Sequence, residues 1–193
     1  MQLVDVGAID AAASELAAAF PDPWIRQYSV KANDVRAVVA AVGRRGLGAN
    51  VVSRGEWAIA TRAGIANGRV TLEGVGKTDA DLRAAVAAAA RGDALLWVTI
   101  EGPEEADVLT RLAERAGLGR RGRPSLDVMV RLNPDVTPET HAGLAVGAGS
   151  SKFGLADAEL AALVESIASR RGHGLRLRGI HLHVGSQLSA VDA

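Results

Sequence analysis

Cysteine is absent from this 193-residue chain, which excludes a disulfide framework and thiolate zinc sites within it and leaves a reducing compartment allowed. No apolar run approaches the ~20 residues that a membrane helix requires. Long runs of like charge are missing as well. The 22 basic and 22 acidic residues cancel, so a nucleic-acid or polyanionic membrane surface has no electrostatic support, while small anionic ligands stay open. The opening Met1-Gln2-Leu3-Val4-Asp5 lacks a basic region followed by an apolar core, so no secretory signal is read and a cytoplasmic protein is expected. No Gly-x-Gly-x-x-Gly follows the first strand candidate, which removes the main support for a doubly wound dinucleotide-binding sheet.

What is present is an apolar fraction of 48% against 23% charged residues, the balance of a soluble globular protein, in a length that suits one domain. Between Trp24 and Val184, short β-rich runs alternate with segments of helical spacing, separated by glycine and proline. Such alternation marks repeated βα units. The strand candidates are 24–30, 47–52, 69–73, 94–100, 126–132 and 177–184. Several are apolar at consecutive positions, as strands covered on both faces are. Helical stripes stand at Val35, Val38, Val39 and Val42, and again at Leu160, Leu163, Val164 and Ile167, and an extra helix over 8–20 precedes the first strand. Ser53-Arg54-Gly55-Glu56 has the form of a capping box; Thr78 or Asp79, and Asp157, can cap later helices. Six strands in this order predict an α/β fold, a partial (β/α)8 TIM-type barrel with about six of its eight strands and its active groups at the strand carboxyl ends.

Chemistry-bearing residues collect where those strands end. Lys31, in Tyr28-Ser29-Val30-Lys31-Ala32-Asn33, follows an apolar run, and a lysine buried there would have a lowered pKa and a lone pair able to attack a carbonyl, making it a Schiff-base candidate beside the alternative of a structural ion pair. Asn50, Glu73, Arg131, His181 and His183 fall at the same rim, with turn capping as the other reading of Asn50 and Glu73 and an acidic partner that of Arg131. His181 and His183 share one strand face. A metal site would need further ligands, and only His141 and His173 remain, the latter in a segment that predicts a solvated turn; no metal is expected. Glu73-Gly74-Val75-Gly76-Lys77-Thr78 approaches a phosphate-binding loop but has Thr71 where the first glycine belongs, which leaves Lys77 for the loop or first turn before a helix. Gly185-Ser186, directly after His183, is the better anion candidate, since a small residue admits backbone N–H groups and a hydroxyl can donate.

Taken together, Tyr28-Ser29-Val30-Lys31-Ala32-Asn33, Val52-Ser53-Arg54-Gly55-Glu56, Arg131-Leu132-Asn133-Pro134, Ser151-Lys152-Phe153-Gly154 and His183-Val184-Gly185-Ser186-Gln187 resemble the diaminopimelate decarboxylase family in order and separation. The wider ornithine and arginine decarboxylase group, of the alanine-racemase-like fold, shares the lysine and the histidine-glycine-serine block. The resemblance implies a barrel that binds pyridoxal 5'-phosphate, with Lys31 carrying the cofactor, His183 stacked on its ring, Arg131 at the ring edge and Gly185 and Ser186 near the phosphate. Lys152 would belong to a loop near a subunit interface. The implied reaction converts meso-2,6-diaminopimelate to L-lysine and carbon dioxide, in a homodimer of the full-length parent. The alternatives are a decarboxylase of another basic amino acid and a non-catalytic, cofactor-binding regulatory barrel.

The pattern departs from the family at Asn50, where an aspartate is usual. The glycine-rich phosphate loop and the Glu-Pro-Gly-Arg segment expected on the last two strands, and the C-terminal β-domain, do not occur within residues 1–193. The expectation is therefore an incomplete barrel domain that does not turn over alone.

Overall fold

The computed structural model describes residues 3–134, 153–169 and 173–184. Six strands, β1 (Gln27–Ser29), β2 (Gly48–Val51), β3 (Val70–Leu72), β4 (Trp97–Ile100), β5 (Leu126–Leu132) and β6 (Leu175–Leu182), form one sheet in chain order. Every neighbouring pair is parallel. Helices α1 (Val6–Ala19), α2 (Arg36–Arg44), α3 (Arg54–Arg62), α4 (Asp79–Ala90), α5 (Pro103–Arg115) and α6 (Asp157–Ser169) alternate with the strands. A doubly wound sheet reverses its strand order at a switch point; this one never does, so its winding is that of a barrel.

The register divides the sheet into two unlike faces. Ala49, Val51, Val70, Leu72, Val98, Ile100, Val128 and Val130 are fully buried on the face that packs against the helices. Val39 from α2, Ala60 from α3, Ala85, Val86 and Ala89 from α4, Leu109 from α5 and Ile167 from α6 join the same core. Alanines at the contact let α4 lie close to the sheet, and the strand residues supply the bulk. The opposite face carries Ser29, Asn50, Thr71, Thr99, Met129, Arg131 and His181. The prediction of strands apolar on both faces is therefore corrected, because in a barrel only the outer face meets helices, while the inner face at the strand ends holds the polar groups.

Strand burial follows position in the sheet. β3 is buried along its whole length, whereas β1 is half-buried and β6 alternates between more and less covered positions. The apolar run at 24–30 contributes only three residues to β1; Trp24 and Ile25 lie outside it and are exposed, and Val30 opens a 3-10 turn through Ala32. Val38, Val39 and Val42 form the buried stripe of α2, but Val35 stands at its N-cap, exposed. Helix starts agree with the sequence: the Ser53 hydroxyl accepts from Glu56 N–H, and Thr78 and Asp81 make a reciprocal capping box on α4.

Gly48 opens β2 by donating to the Arg26 carbonyl at 2.9 Å, with the Arg69 carbonyl so close that a Cβ would collide with its oxygen. The atom it would strike is backbone, which cannot yield as a side-chain end could. Gly48→Ala is expected to destabilise the fold by about 1–3 kcal/mol, the usual cost of forced overpacking, read as a lower denaturant midpoint at unchanged m-value.

Candidate functional site

The polar groups gather where the strands end. Lys31 sits in the 3-10 turn that closes β1, Asn50 on β2, Glu73 just past β3, Glu101 just past β4, Arg131 and His181 on β5 and β6, and His183 just past β6. The turn under Lys31 is tied by Asn33, whose N–H donates to the Val30 carbonyl and whose carbonyl accepts from the Tyr28 hydroxyl at 3.1 Å. Asn33 Oδ1 also accepts the Val35 N–H at 3.0 Å, where α2 begins. Lys31 is exposed, which corrects the expectation of a buried lysine: the three-residue strand ends before it, and the turn carries it into solvent at the rim. Among the described residues it makes no ion pair.

Across the concave face, Glu73 Oε2 lies 3.3 Å from His181 Nε2, joining the end of β3 to β6. Strands three places apart in order meet only if the sheet is curled, so this contact is direct geometry for barrel curvature. A polar ladder runs on from it: Asn50 Nδ2 donates to Thr71 Oγ1 at 3.4 Å, and Thr71 Oγ1 donates to Gln27 Oε1 at 3.0 Å. Burial alone would raise the Glu73 carboxyl, but the hydrogen bond and charge of His181, with the Asn50 amide, outweigh it and hold Glu73 below the ordinary glutamate value.

Arg131 is buried, and its Nη1 donates to both oxygens of Glu101, 3.0 Å each. Its Cζ lies 4.8 Å from the centre of the Phe153 ring. Phe153 comes into reach because the chain returns to β5: Leu155 N–H donates to the Arg131 carbonyl and the Leu155 carbonyl accepts from Asn133 N–H. Gly154 makes that return possible, with φ +75° and Asn133 N only 2.9 Å from where a Cβ would stand.

His183 is half-buried, and its pKa is lowered first by burial and then by the charges of Arg131, Lys31 and His181, with Glu73 opposing. Those influences tie Lys31, Arg131 and His183, the principal sequence candidates, into one electrostatic neighbourhood with Asn50 hydrogen-bonded beside it. Two buried polar atoms of the same face, Thr99 Oγ1 and His181 Nδ1, have no hydrogen-bond partner among the described residues. Unmet hydrogen-bonding capacity beside a fixed guanidinium and an exposed amine fits a polar, carbonyl-bearing group.

The remaining sequence candidates divide. Gly185 and Ser186 lie outside the described residues, as do His141, Lys152 and Gln187. His173 is buried, not solvated: its Nε2 lies 3.0 Å from the Ile167 carbonyl near the end of α6 and its Nδ1 accepts Leu175 N–H at 3.3 Å, so the ring staples α6 to the start of β6. Among the described residues no three His, Asp or Glu side chains form a metal-binding group. Sequence reasoning missed Glu101, although it stands directly after a strand in Ile100-Glu101-Gly102-Pro103, the same position that singled out Glu73.

Comparison with known proteins gives a consistent result. The family model for the pyridoxal binding domain of pyridoxal-dependent decarboxylases matches residues 6–193. The chain is 40% identical over 174 residues to diaminopimelate decarboxylase of Aquifex aeolicus, covering 90% of this chain and 38% of that protein. It is 37% identical over 162 residues to the Zymomonas mobilis enzyme of the same name, covering 84% and 35%. The crystal structure of diaminopimelate decarboxylase from Helicobacter pylori complexed with L-lysine superposes with a TM-score of 0.84 at 25% identity, over 95% of this chain and 44% of that one. The chain thus spans about two fifths of the length of the curated relatives it matches.

Because the Glu73 pKa is depressed in the folded protein, its contribution to stability is full above the ordinary value of 4.5 and is lost as pH falls through the lower folded value. Glu73→Gln is expected to flatten the acid limb of the stability profile below that pH and leave the neutral region parallel to the parent. Denaturant midpoints measured across the acid range check this, and an unchanged acid slope would rule it out.

Proposed function

We propose that this chain, which belongs to the pyridoxal-dependent decarboxylases and carries their pyridoxal-binding domain, acts in a diaminopimelate decarboxylase that converts meso-2,6-diaminopimelate to L-lysine and carbon dioxide. The observation that carries the proposal is the exposed amine of Lys31 on a tied turn at the carboxyl end of a curled parallel sheet, near enough to His183 for its charge, like that of Arg131, to act on that ring. The substrate assignment is supported by the relatives, whose name is diaminopimelate decarboxylase, and by the solved relative that holds L-lysine.

Lys31 would hold pyridoxal 5'-phosphate through its amine, with His183 against the ring, Arg131 at its edge, and Gly185 and Ser186 toward the phosphate. When bound, that group supplies an electron sink for the pair left as the carboxylate departs. The chain's own residues prepare the place. The depressed pKa of His183 keeps its ring neutral at neutral pH, so it offers a flat face without adding a cation. Arg131 presents a guanidinium already fixed by Glu101 and Phe153, so no side-chain ordering remains when a ligand arrives. Glu73 and His181 hold opposite sides of the concave face together, and Asn50 supports Glu73 as a neutral donor where an acid would have repelled it. Lys31 Nζ, on the rim and exposed, is also where a proton can be taken up or returned.

No helix among the described residues is long and apolar enough to cross a membrane. We place the protein in the cytoplasm as a homodimer of the longer parent, in which this segment is an incomplete barrel domain supplemented by further strands and a C-terminal β-domain.

Adding pyridoxal 5'-phosphate to the protein should produce an absorption band near the visible edge that borohydride fixes on the peptide containing Lys31. Lys31→Ala should lack the band. A label on another lysine would defeat the assignment of Lys31, and a band without carbon dioxide release by the longer parent protein would favour the non-catalytic cofactor-binding barrel.

A further inference from the structure

Arg131 belongs to a cluster of four charged side chains, of which Glu101 holds it directly and Lys77 and Glu105 have no part in the chemistry above. Side-chain exposure is 1% for Lys77, 3% for Glu101, 7% for Arg131 and 17% for Glu105, so each needs a partner in place of water. Glu101 accepts Gly74 N–H at 2.7 Å as well as Arg131 Nη1. Glu105, on the first turn of α5, accepts Glu101 N–H at 2.8 Å and pairs with Lys77 Nζ at 3.0 Å. Lys77 Nζ closes the circuit by donating to the Gly74 carbonyl. Three segments are thereby locked to one another: the loop between β3 and α4, the turn between β4 and α5, and the end of β5.

We propose that Glu101 is a positioning residue, which with Lys77 and Glu105 forms a buried clamp holding the Arg131 guanidinium at the rim in the orientation a bound cofactor meets. The inference rests on the reading of this rim as the cofactor site. It also gives a role to Lys77, which lies in a loop that failed as a phosphate cradle, since this lysine anchors the loop whose Gly74 N–H fixes Glu101. A guanidinium held at Nη1 by both oxygens of a carboxylate and over its face by an aromatic ring can neither rotate about its Nε–Cζ bond freely nor swing into solvent. Arg131 acts in turn on its surroundings, since its charge is the largest electrostatic influence on His183 after burial.

The first test reads the motion of the guanidinium directly. Arg131 Nη resonances, assigned by their loss in Arg131→Met, should be split by hindered rotation in the unaltered protein and averaged in Glu101→Gln; free rotation in the unaltered protein would overturn the clamp. The second is a cycle of pyridoxal 5'-phosphate titrations followed by absorbance. Glu101→Gln and Arg131→Met should each weaken binding about tenfold, the size expected for one charge-assisted contact. The double variant should be no weaker than Arg131→Met alone, because Glu101 acts through Arg131. Multiplying effects, or unchanged binding by a folded Glu101→Gln, would refute the positioning role. Glu101→Asp, which keeps the charge, should restore part of the affinity. If Glu101→Gln does not fold, Lys77→Met loosens the clamp from its far side, and should weaken binding only while Arg131 is present; equal weakening in its absence would count against the proposal. Failure of the unaltered protein to bind cofactor defeats the proposed function itself, whereas split Arg131 resonances in that same protein would support the clamp.

Discussion

A carboxylate as buried as Glu101 is tolerable only if it is paired, and the need to pair it organises the working end of the sheet. Taking two charges out of water costs several kcal/mol per ion before any attraction returns it, and removing one partner of such a pair typically costs ~3–5 kcal/mol. Glu101 meets that requirement by drawing a backbone N–H from the loop after β3 and a guanidinium from β5 to the end of β4. Three consecutive strand ends are held at fixed separation as a result. Burial also pushes the neighbouring Glu105 carboxyl up despite Lys77 beside it, so at that group desolvation outweighs pairing.

The curvature of the sheet turns that local order into a site. A flat six-stranded sheet would hold β3 and β6 far apart; here Glu73 and His181 touch across the concave face. The convex face is apolar because helices cover it, and the concave face is polar because the strand ends converge there. At His183 the charges of Arg131 and Lys31 act against that of Glu73.

Much of this was legible in the residues alone. The helical stripes of α2 and α6, the caps at Ser53 and Thr78, and the six strand positions are encoded in spacings of two to four residues, and the structure departs from them mainly at their ends. Arg131 beside an acid was one of two readings open from the sequence; which acid was not, because Glu101 lies thirty positions away. His173 misled, since a histidine among glycine and arginine has the composition of a solvated turn, and only the packing of α6 against β6 buries it. Lys31 misled in the other direction, as an apolar run before it suggested burial that a short edge strand does not provide.

Sequence by itself determined the alternation of strands and helices, the winding class, and the lysine and histidine blocks that mark the family, because each depends on neighbours along the chain. Tertiary structure alone decided which charges are buried, which partners they take and that Lys31 stands exposed at the rim. Those outcomes depend on desolvation and on distances between residues 27 to 108 positions apart, from Gly74 and Glu101 to Glu73 and His181, which no local pattern records.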